Sequence, residues 1–421
     1  MIKKIINCLK ETPGVSDWLV NETSTISSQV FYVRQKLETT RNANTREYIV
    51  TVYHQHQDEG QEYFGSSKFV ISHKLSKKAL QEKIVEAVYA ASFVRNKKHE
   101  LVRGEGRRSW KAKKSLYEPF ELMDKIAGIF FKQSDDTKKF NSLEIFCDTT
   151  TEHIVNSQGV NYKKTLSKVK VEAIPSYDGD KQKVELYKFL TYSDIDFEKI
   201  ENDAVTALQE VVLRYQAQAP IDLKKADIIL RDRDVAEFFG TLIEDYAYSS
   251  VYRQNTDKKI GDPIQKEPRR DLLSIDLIPD GDCFDRDGVL LKPVRVVDAG
   301  KLASYFGDNQ YGSYLGVRPT GLMQTLKVKA GKTSIETLSK KPCLEIISLS
   351  GIQIEMYNGY IGGEVRLAIY CDGEKRIPLS GFSFSGNIDN CLDQLVLSRE
   401  KVIIDRYQGP KYVMLHGMDI I

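Results

Sequence analysis

Histidine is the side chain from which most hydrolytic zinc sites are built, because its ring nitrogens coordinate zinc at about 2.0 Å. The chain has six histidines. His54 and His56 lie two residues apart in a segment with strand periodicity, so both side chains project from one face, with Asp58 and Glu59 nearby. This pair could supply half of a metal site. No third histidine is close in sequence, and we favour a solvent-facing pair on a half-buried sheet.

Other catalytic motifs are absent from the sequence. Residues 381–385 (GFSFS) come nearest to the G-x-S-x-G nucleophile elbow of serine hydrolases, but the segment ends in serine. Neither the G-x-x-x-x-G-K-[ST] phosphate loop nor G-x-G-x-x-G occurs. The six cysteines form no C-x-x-C pair, which predicts core or surface thiols. We therefore assign no catalytic residue and no metal ligand to this chain.

Charge and hydropathy restrict the possible partners. The 61 Lys and Arg residues against 59 Asp and Glu leave a formal charge of +2, too small for whole-molecule attraction to nucleic acid or anionic lipid. The basic residues 95–114, with Trp110 available for stacking, are the local nucleic-acid candidate. We interpret them as an exposed, solvated loop because Glu100 and Glu105 interrupt the charge, and nucleic acid is therefore not an expected partner.

Targeting signals are not recognised in the sequence. No run approaches ~18 apolar residues, which predicts that no helix spans a membrane. The apolar stretch near the N-terminus is broken by Asn7 and is too short for a signal peptide. We therefore expect a cytoplasmic protein.

The elements that would position a site alternate between strands and helices in the first half. Residues 47–57 alternate as a strand, residues 58–60 read as a turn, and residues 66–72 predict the returning strand of a hairpin. Apolar residues at three- and four-residue spacing behind Ser76 predict a capped amphipathic helix. Further helices are predicted from Pro119, over 197–215 and over 235–248, with strands at 143–148, around 169–173 and at 228–230.

Beyond Gly261 the pattern changes to short strands separated by glycine turns, interrupted by a short helix at 389–397. The polar segment 216–220 (QAQAP) reads as a linker. The predicted fold class is α+β. An N-terminal α/β-type domain of strands and amphipathic helices (1–218) would precede a mostly antiparallel β domain (219–421).

Four segments match the motifs of one family in order along the chain. They are VYR…T…IG..I at 251–264, LG…TG at 315–321, SGNI at 385–388 and the NSQG turn at 156–159. Together they resemble the TldD/PmbA family, whose members are known as candidate peptidases and as modulators of DNA gyrase. The resemblance is to the PmbA branch, also called TldE.

The resemblance implies where a zinc site would lie. In the TldD branch a helix near the start of the second domain carries H-E-x-x-x-H, and a later cysteine completes the site. The corresponding helix here reads DVAEFFGTLIEDY, with Ala236 and Thr241 at the histidine positions and Glu237 at the glutamate. Alanine cannot ligate zinc, and the chain end RYQGPKYVMLHG lacks the cysteine. We expect no cofactor in this chain and zinc in a TldD-like partner.

The resemblance therefore implies a metal-free PmbA-like subunit of a two-component zinc metallopeptidase, assembled as a homo- or hetero-oligomer and acting on peptides. The polar members of the matched segments are the candidate peptide- or partner-binding residues: Tyr252, Arg253, Thr320 and Asn387. A structural role is open for each, since Asn387 could shape a turn and Arg253 could pair with a carboxylate. Two other functions also stay open: a stand-alone peptide- or protein-binding module, and a gyrase-associated regulator.

Overall fold

Long antiparallel strands dominate the first half of the computed structural model, which describes residues 1–111, 117–220, 223–323 and 325–421. The strands are β1 (Asp17–Val33), β2 (Lys36–Asp58), β3 (Gln61–Ile71), β4 (Arg107–Trp110), β5 (Lys138–Asn156), β6 (Asn161–Asp178), β7 (Lys183–Glu185) and β8 (Lys188–Tyr192). The helices are α1 (Ile2–Glu11), α2 (Lys77–Ala91), α3 (Pro119–Lys132) and α4 (Phe197–Gln216).

These strands form one sheet in the order β3-β2-β1-β5-β6-β4, and β7 and β8 pair with the same side of β6 as β4. The predicted hairpin is confirmed, with its turn at Glu59 and Gly60, whose φ angles of 51° and 79° are positive. Both β2 and β5 are much longer than predicted. The first part of β2 is mostly exposed and polar, so it carries no apolar alternation to reveal it.

Local capping signals were predicted correctly. The Ser76 Oγ accepts a hydrogen bond from the Ala79 N–H at 3.0 Å and caps α2, and Pro119 occupies the first turn of α3. Helices α3 and α4 cover one face of the sheet, where their apolar residues pack against Leu143 and Val171. The first half therefore has its own hydrophobic core.

The prediction of an exposed loop over residues 95–114 is wrong at 107–110, which form β4, whereas residues 95–106 do lie outside helices and strands and more than half of them are exposed. Residues of β4 pair in parallel with β6, and the Trp110 ring lies 5.8 Å from Phe284 and 6.1 Å from Tyr162, centroid to centroid. His99 and Leu101 are buried. These partners are distant in sequence, so no local period could indicate them. Residues 112–116, which include two lysines of the segment, lie outside the described residues.

The second half is mostly β, as predicted. Its strands are β9 (Lys225–Arg231), β10 (Ile275–Ile278), β11 (Val294–Asp298), β12 (Lys301–Leu302), β13 (Thr325–Val328), β14 (Cys343–Glu355), β15 (Tyr360–Cys371), β16 (Arg376–Leu379), β17 (Phe382–Asn387), β18 (Val396–Leu397), β19 (Lys401–Ile404), β20 (Tyr407–Pro410) and β21 (Tyr412–Ile420). The helices are α5 (Arg233–Glu244), α6 (Tyr248–Tyr252), α7 (Asn309–Tyr314), α8 (Ile335–Leu338) and α9 (Ile388–Asp393).

Two sheets surround α5. One has the order β12-β11-β10-β13-β20-β19; the other runs β14-β9-β21-β17-β15-β16, and pairing of β14 with β15 closes it into a barrel. Phe238, Phe239 and Leu242 of α5 are fully buried in this core. The α+β fold class is thus confirmed. No helix within the described residues is long and apolar enough to cross a membrane.

The predicted helix over 235–248 is wrong at its C-terminal end, since α5 ends at Glu244 and α6 begins at Tyr248. The Tyr248 N–H donates to the Phe306 carbonyl at 2.7 Å. That long-range bond takes the donor that a continuous helix would have used, so the chain turns at 245–247. The proposed domain boundary after residue 218 stays a prediction; residues 221 and 222 lie outside the described residues.

Candidate functional site

A cleft of about 630 Å³ lies between the two halves, at the N-terminal end of α5. From the first half it is lined by β8 and α4. From the second half it is lined by the start of α5, by residues 347–351 of β14 and by the β19–β20 hairpin. In residues 347–351 the pairing of β14 with β15 is irregular. The cleft therefore has walls from elements that are far apart in sequence.

Two strands present unpaired edges to this cleft. Within the described residues, β8 pairs with β6 alone and β19 pairs with β20 alone. The Ile403 carbonyl of β19 accepts a hydrogen bond from the Lys199 Nζ at 3.1 Å. Because the N–H and C=O of one residue in an antiparallel strand point the same way, the Ile403 N–H also points away from β20. Beside the cleft-lining residues Val402 and Ile404, the Ile403 N–H therefore has no strand partner within the described residues, whereas its carbonyl is bonded to Lys199.

A buried ion network supports the cleft floor. Only 3% of Glu210 on α4 is exposed. Arg231 contacts its Oε1 through a hydrogen bond, and the Lys188 ammonium contacts Oε2 as an ion pair. The Arg231 guanidinium also lies 3.8 Å from the Glu345 carboxylate. The network ties β8, α4, β9 and β14 together.

Carboxyl groups at the start of α5 and on α4 have raised pKa values. Burial, followed by the charge of Glu237, raises the pKa of Asp234 to about 7. Burial likewise raises the pKa values of Asp203 and Asp232 above their ordinary range. Near neutral pH the cleft therefore holds a carboxyl group with a raised pKa, whose protonated form is populated.

The α5 residues do not fit a zinc site. Ala236 packs against the core, and neither its methyl group nor the half-buried Thr241 offers the nitrogen or thiolate ligands that such sites use. Glu237 lines the cleft, and its Oε1 accepts a hydrogen bond from the Ile352 N–H at 3.3 Å. Across the described ranges, no group of three or more His, Cys, Asp or Glu side chains could hold a metal ion.

His54 and His56 share one strand face, as predicted. Their rings stack with centroids 5.6 Å apart, and the His54 Nδ1 lies 2.7 Å from the Gly14 carbonyl. The pair is thus held by ring stacking and backbone contacts, and both side chains are half-buried where we had interpreted them as a solvent-facing pair on a half-buried sheet.

Tyr252 and Arg253 are brought together in a tyrosine cluster between α6 and α7. The Tyr252 ring lies 5.1 Å from Tyr314 and 5.7 Å from Tyr311, and the Arg253 Nη2 donates to the Tyr311 hydroxyl at 2.8 Å. Lys97 of the first half lies over the Tyr252 ring at 5.1 Å. Arg253 thus pairs with a phenol here. The cluster lies where the two halves meet.

Thr320 and Asn387 have hydrogen-bond partners outside that cluster. The Thr320 Oγ1 accepts from the Gly307 N–H at 2.9 Å, and the Asn387 Oδ1 caps α9 by accepting from the Asn390 N–H at 3.0 Å. The described lining of the cleft includes none of the four candidate residues. Their binding role stays a prediction, and each has a structural contact of its own.

Apart from Glu237, the residues that line the cleft were missed from the sequence. Glu210 carried a usable signal, because it follows Ala207 by three residues on the buried stripe of α4, where a charge requires a partner. The free edges of β8 and β19 carried none, since edge position depends on the whole sheet order.

One family model matches the second half of the chain. Residues 224–421 match the model described as PmbA/TldA metallopeptidase C-terminal domain. TldE from Thermococcus kodakarensis superposes with a TM-score of 0.78 at 14% identity, covering 100% of this chain and 99% of that one. No curated protein sequence gives a significant match.

Two further solved structures are described as candidate modulators of DNA gyrase. The one from Thermotoga maritima has a TM-score of 0.76 at 15% identity, with 100% of both chains covered. The one from Bacteroides thetaiotaomicron has a TM-score of 0.80 at 15% identity, covering 100% of this chain and 97% of the other. At such identities these likenesses show a shared fold.

Proposed function

Since the chain belongs to the TldD/PmbA family, we propose that it is the metal-free, PmbA (TldE)-like subunit of a two-component zinc metallopeptidase. Its cleft holds an extended peptide, and a TldD-like partner supplies the zinc that activates water. The assembly is a cytoplasmic oligomer that processes or degrades peptides. In this division of labour, Ala236 and Thr241 leave the α5 helix without ligands, while this chain binds and orients the peptide.

The observation that carries the proposal is the cleft with open strand edges on β8 and β19. A peptide that adds a strand to such an edge is held by main-chain hydrogen bonds, which depend little on its side chains. The outward N–H of Ile403 is suited to that role, and its carbonyl would become available if Lys199 turned away. The charged groups around them, such as Asp234 and Lys199, would select side chains at intervals along the peptide.

Replacing Ile403 with proline tests this arrangement. We expect about fivefold weaker binding of fluorescein-labelled casein, an unfolded protein, measured by fluorescence anisotropy, since one strand hydrogen bond is worth about 1 kcal/mol. The variant should keep its fold, because proline is tolerated on an edge strand and the Ile403 N–H points away from β20. Ile403→Val is the matched control and should bind normally. A proline variant with an unchanged melting temperature and unchanged casein affinity would refute strand addition at β19.

A second candidate function is a stand-alone peptide-binding module, which the same cleft would serve without zinc donors. Purification from the native host separates the two: only the subunit model requires a co-purifying chain that carries H-E-x-x-x-H. The gyrase-associated alternative receives less support from Trp110, because its ring packs between Tyr162 and Phe284 and is not free to stack on bases.

A further inference from the structure

Two buried cysteines lie side by side at the open end of the β14–β15 pair. Cys343 begins β14, Cys371 ends β15, and the two are direct register partners. Residues directly opposite in an antiparallel pair have Cα atoms about 4.5–5.5 Å apart, which lies within the range that disulfides span. As direct register partners their side chains share one face, where a thiol–thiol hydrogen bond can shift both pKa values. Both are free thiols.

The charges around the two sulfur atoms differ. Arg376 of β16 is the register partner of Cys371, whereas Asp227 of β9 is the register partner of Cys343. The hydrogen bond from Cys343, aided by the Arg376 charge, lowers the pKa of Cys371 below its ordinary value. The same hydrogen bond, together with burial and nearby carboxylates, raises the pKa of Cys343. Cys371 is therefore the thiol that ionises first.

We propose that Cys343 and Cys371 are a redox-modification site, converted to a cross-strand disulfide by hydroperoxides. The Cys371 thiolate attacks one peroxide oxygen, the O–O bond breaks, and a sulfenic acid forms while the departing oxygen takes up a proton. The Cys343 thiol then loses its proton and attacks that sulfur, releasing water. The two sulfur atoms lose two electrons in total, and the peroxide gains them.

Access to the pair comes through the strand ends. Cys343 is fully buried, and 2% of Cys371 is exposed. Residues 340–342 and 373–375, which lie next to them in the chain, are exposed loop segments. Fraying of a strand end is the least costly opening of a sheet, and hydrogen peroxide is little larger than water. Further along, β14 lines the peptide cleft at residues 347–351, so the disulfide would fasten the strand that forms one cleft wall.

Thiol counting after treatment with hydrogen peroxide tests the proposal. The reduced chain has six free thiols, and the oxidised chain, counted after unfolding, should have lost the two thiols of this pair. Peptide mapping without reductant should recover Cys343 linked to Cys371, and dithiothreitol should restore both thiols. The oxidised protein should melt at a higher temperature, because the link restrains the unfolded chain. Retention of all six thiols, or a link between other cysteines, would overturn the assignment.

Single substitutions test the order of attack. In Cys343→Ser the sulfenic acid at Cys371 has no resolving thiol, so dimedone should label Cys371. In Cys371→Ser the labelling of Cys343 should be at least tenfold lower. Cys391→Ser, which removes another buried thiol, is the matched control and should leave the link intact. Equal labelling of the two cysteines would contradict the assigned roles. If a variant does not fold, peptide mapping of the unsubstituted protein still shows whether Cys343 and Cys371 form the disulfide.

Discussion

Replacing Glu210 with alanine is expected to lower the free energy of unfolding by about 3–5 kcal/mol, the cost of breaking a buried ion pair. The carboxylate is 4% exposed and lies between Lys188 and Arg231. Its removal leaves both cations partly desolvated, and Glu345 at 3.8 Å from Arg231 compensates only one of them. Urea denaturation followed by circular dichroism would measure the change.

Gln209→Ala is the matched control, since the neighbouring side chain on α4 is exposed. We expect it to change stability by less than about 0.5 kcal/mol. A loss below about 1 kcal/mol for Glu210→Ala would mean that water replaces the carboxylate and that the network does not hold the cleft floor.

Asp234→Asn is expected to make the protein more stable at pH 8 and to flatten its pH dependence. Because the pKa of Asp234 is raised in the folded state to about 7 from 3.8, the folded chain retains a proton that the unfolded chain loses. The stabilisation from this proton is complete below pH 3.8 and is lost as the pH rises through about 7. The full loss is up to about 4 kcal/mol, at 1.36 kcal/mol per unit.

The measurement is urea unfolding of both proteins between pH 4.5 and 8. The difference in the free energy of unfolding between the Asp234→Asn variant and the unsubstituted protein should widen as the pH rises. Glu244→Gln, at the exposed C-terminal end of α5, is the control and should leave the change of the free energy of unfolding with pH as it is in the unsubstituted protein. Parallel stability curves for the Asp234 variant and the unsubstituted protein would show that this carboxyl is ionised in the folded state at neutral pH.

Local signals allowed much of the fold to be predicted. The Ser76 cap, Pro119 at the start of α3, the turn after β2 and the amphipathic helix α4 each depend on residues close in sequence. The prediction failed where a distant partner decides the structure. β4 exists because β6 lies beside it, and α5 stops at Glu244 because the Phe306 carbonyl takes the Tyr248 N–H.

The candidate site was likewise predicted only where a local signal exists in the sequence. Glu237 was identified on the family helix and does line the cleft, because its helix position is a local property. The cleft combines β8, α4, α5, β14 and β19, so no single segment of the sequence contains it. Tyr252 and Arg253 were selected together and do lie together, while Thr320 and Asn387 bond to other segments. Family motifs therefore identified residues without indicating which of them would meet.

In the proposed division of labour, this chain binds peptide while a partner supplies the metal. The most direct test combines zinc analysis with cleavage of fluorescein-labelled casein, by this chain alone and by its mixture with a chain from the same genome that carries H-E-x-x-x-H. We expect no stoichiometric zinc and no cleavage with this chain alone, and cleavage by the mixture above that of the partner alone. Stoichiometric zinc together with peptidase activity in the isolated chain would contradict the account.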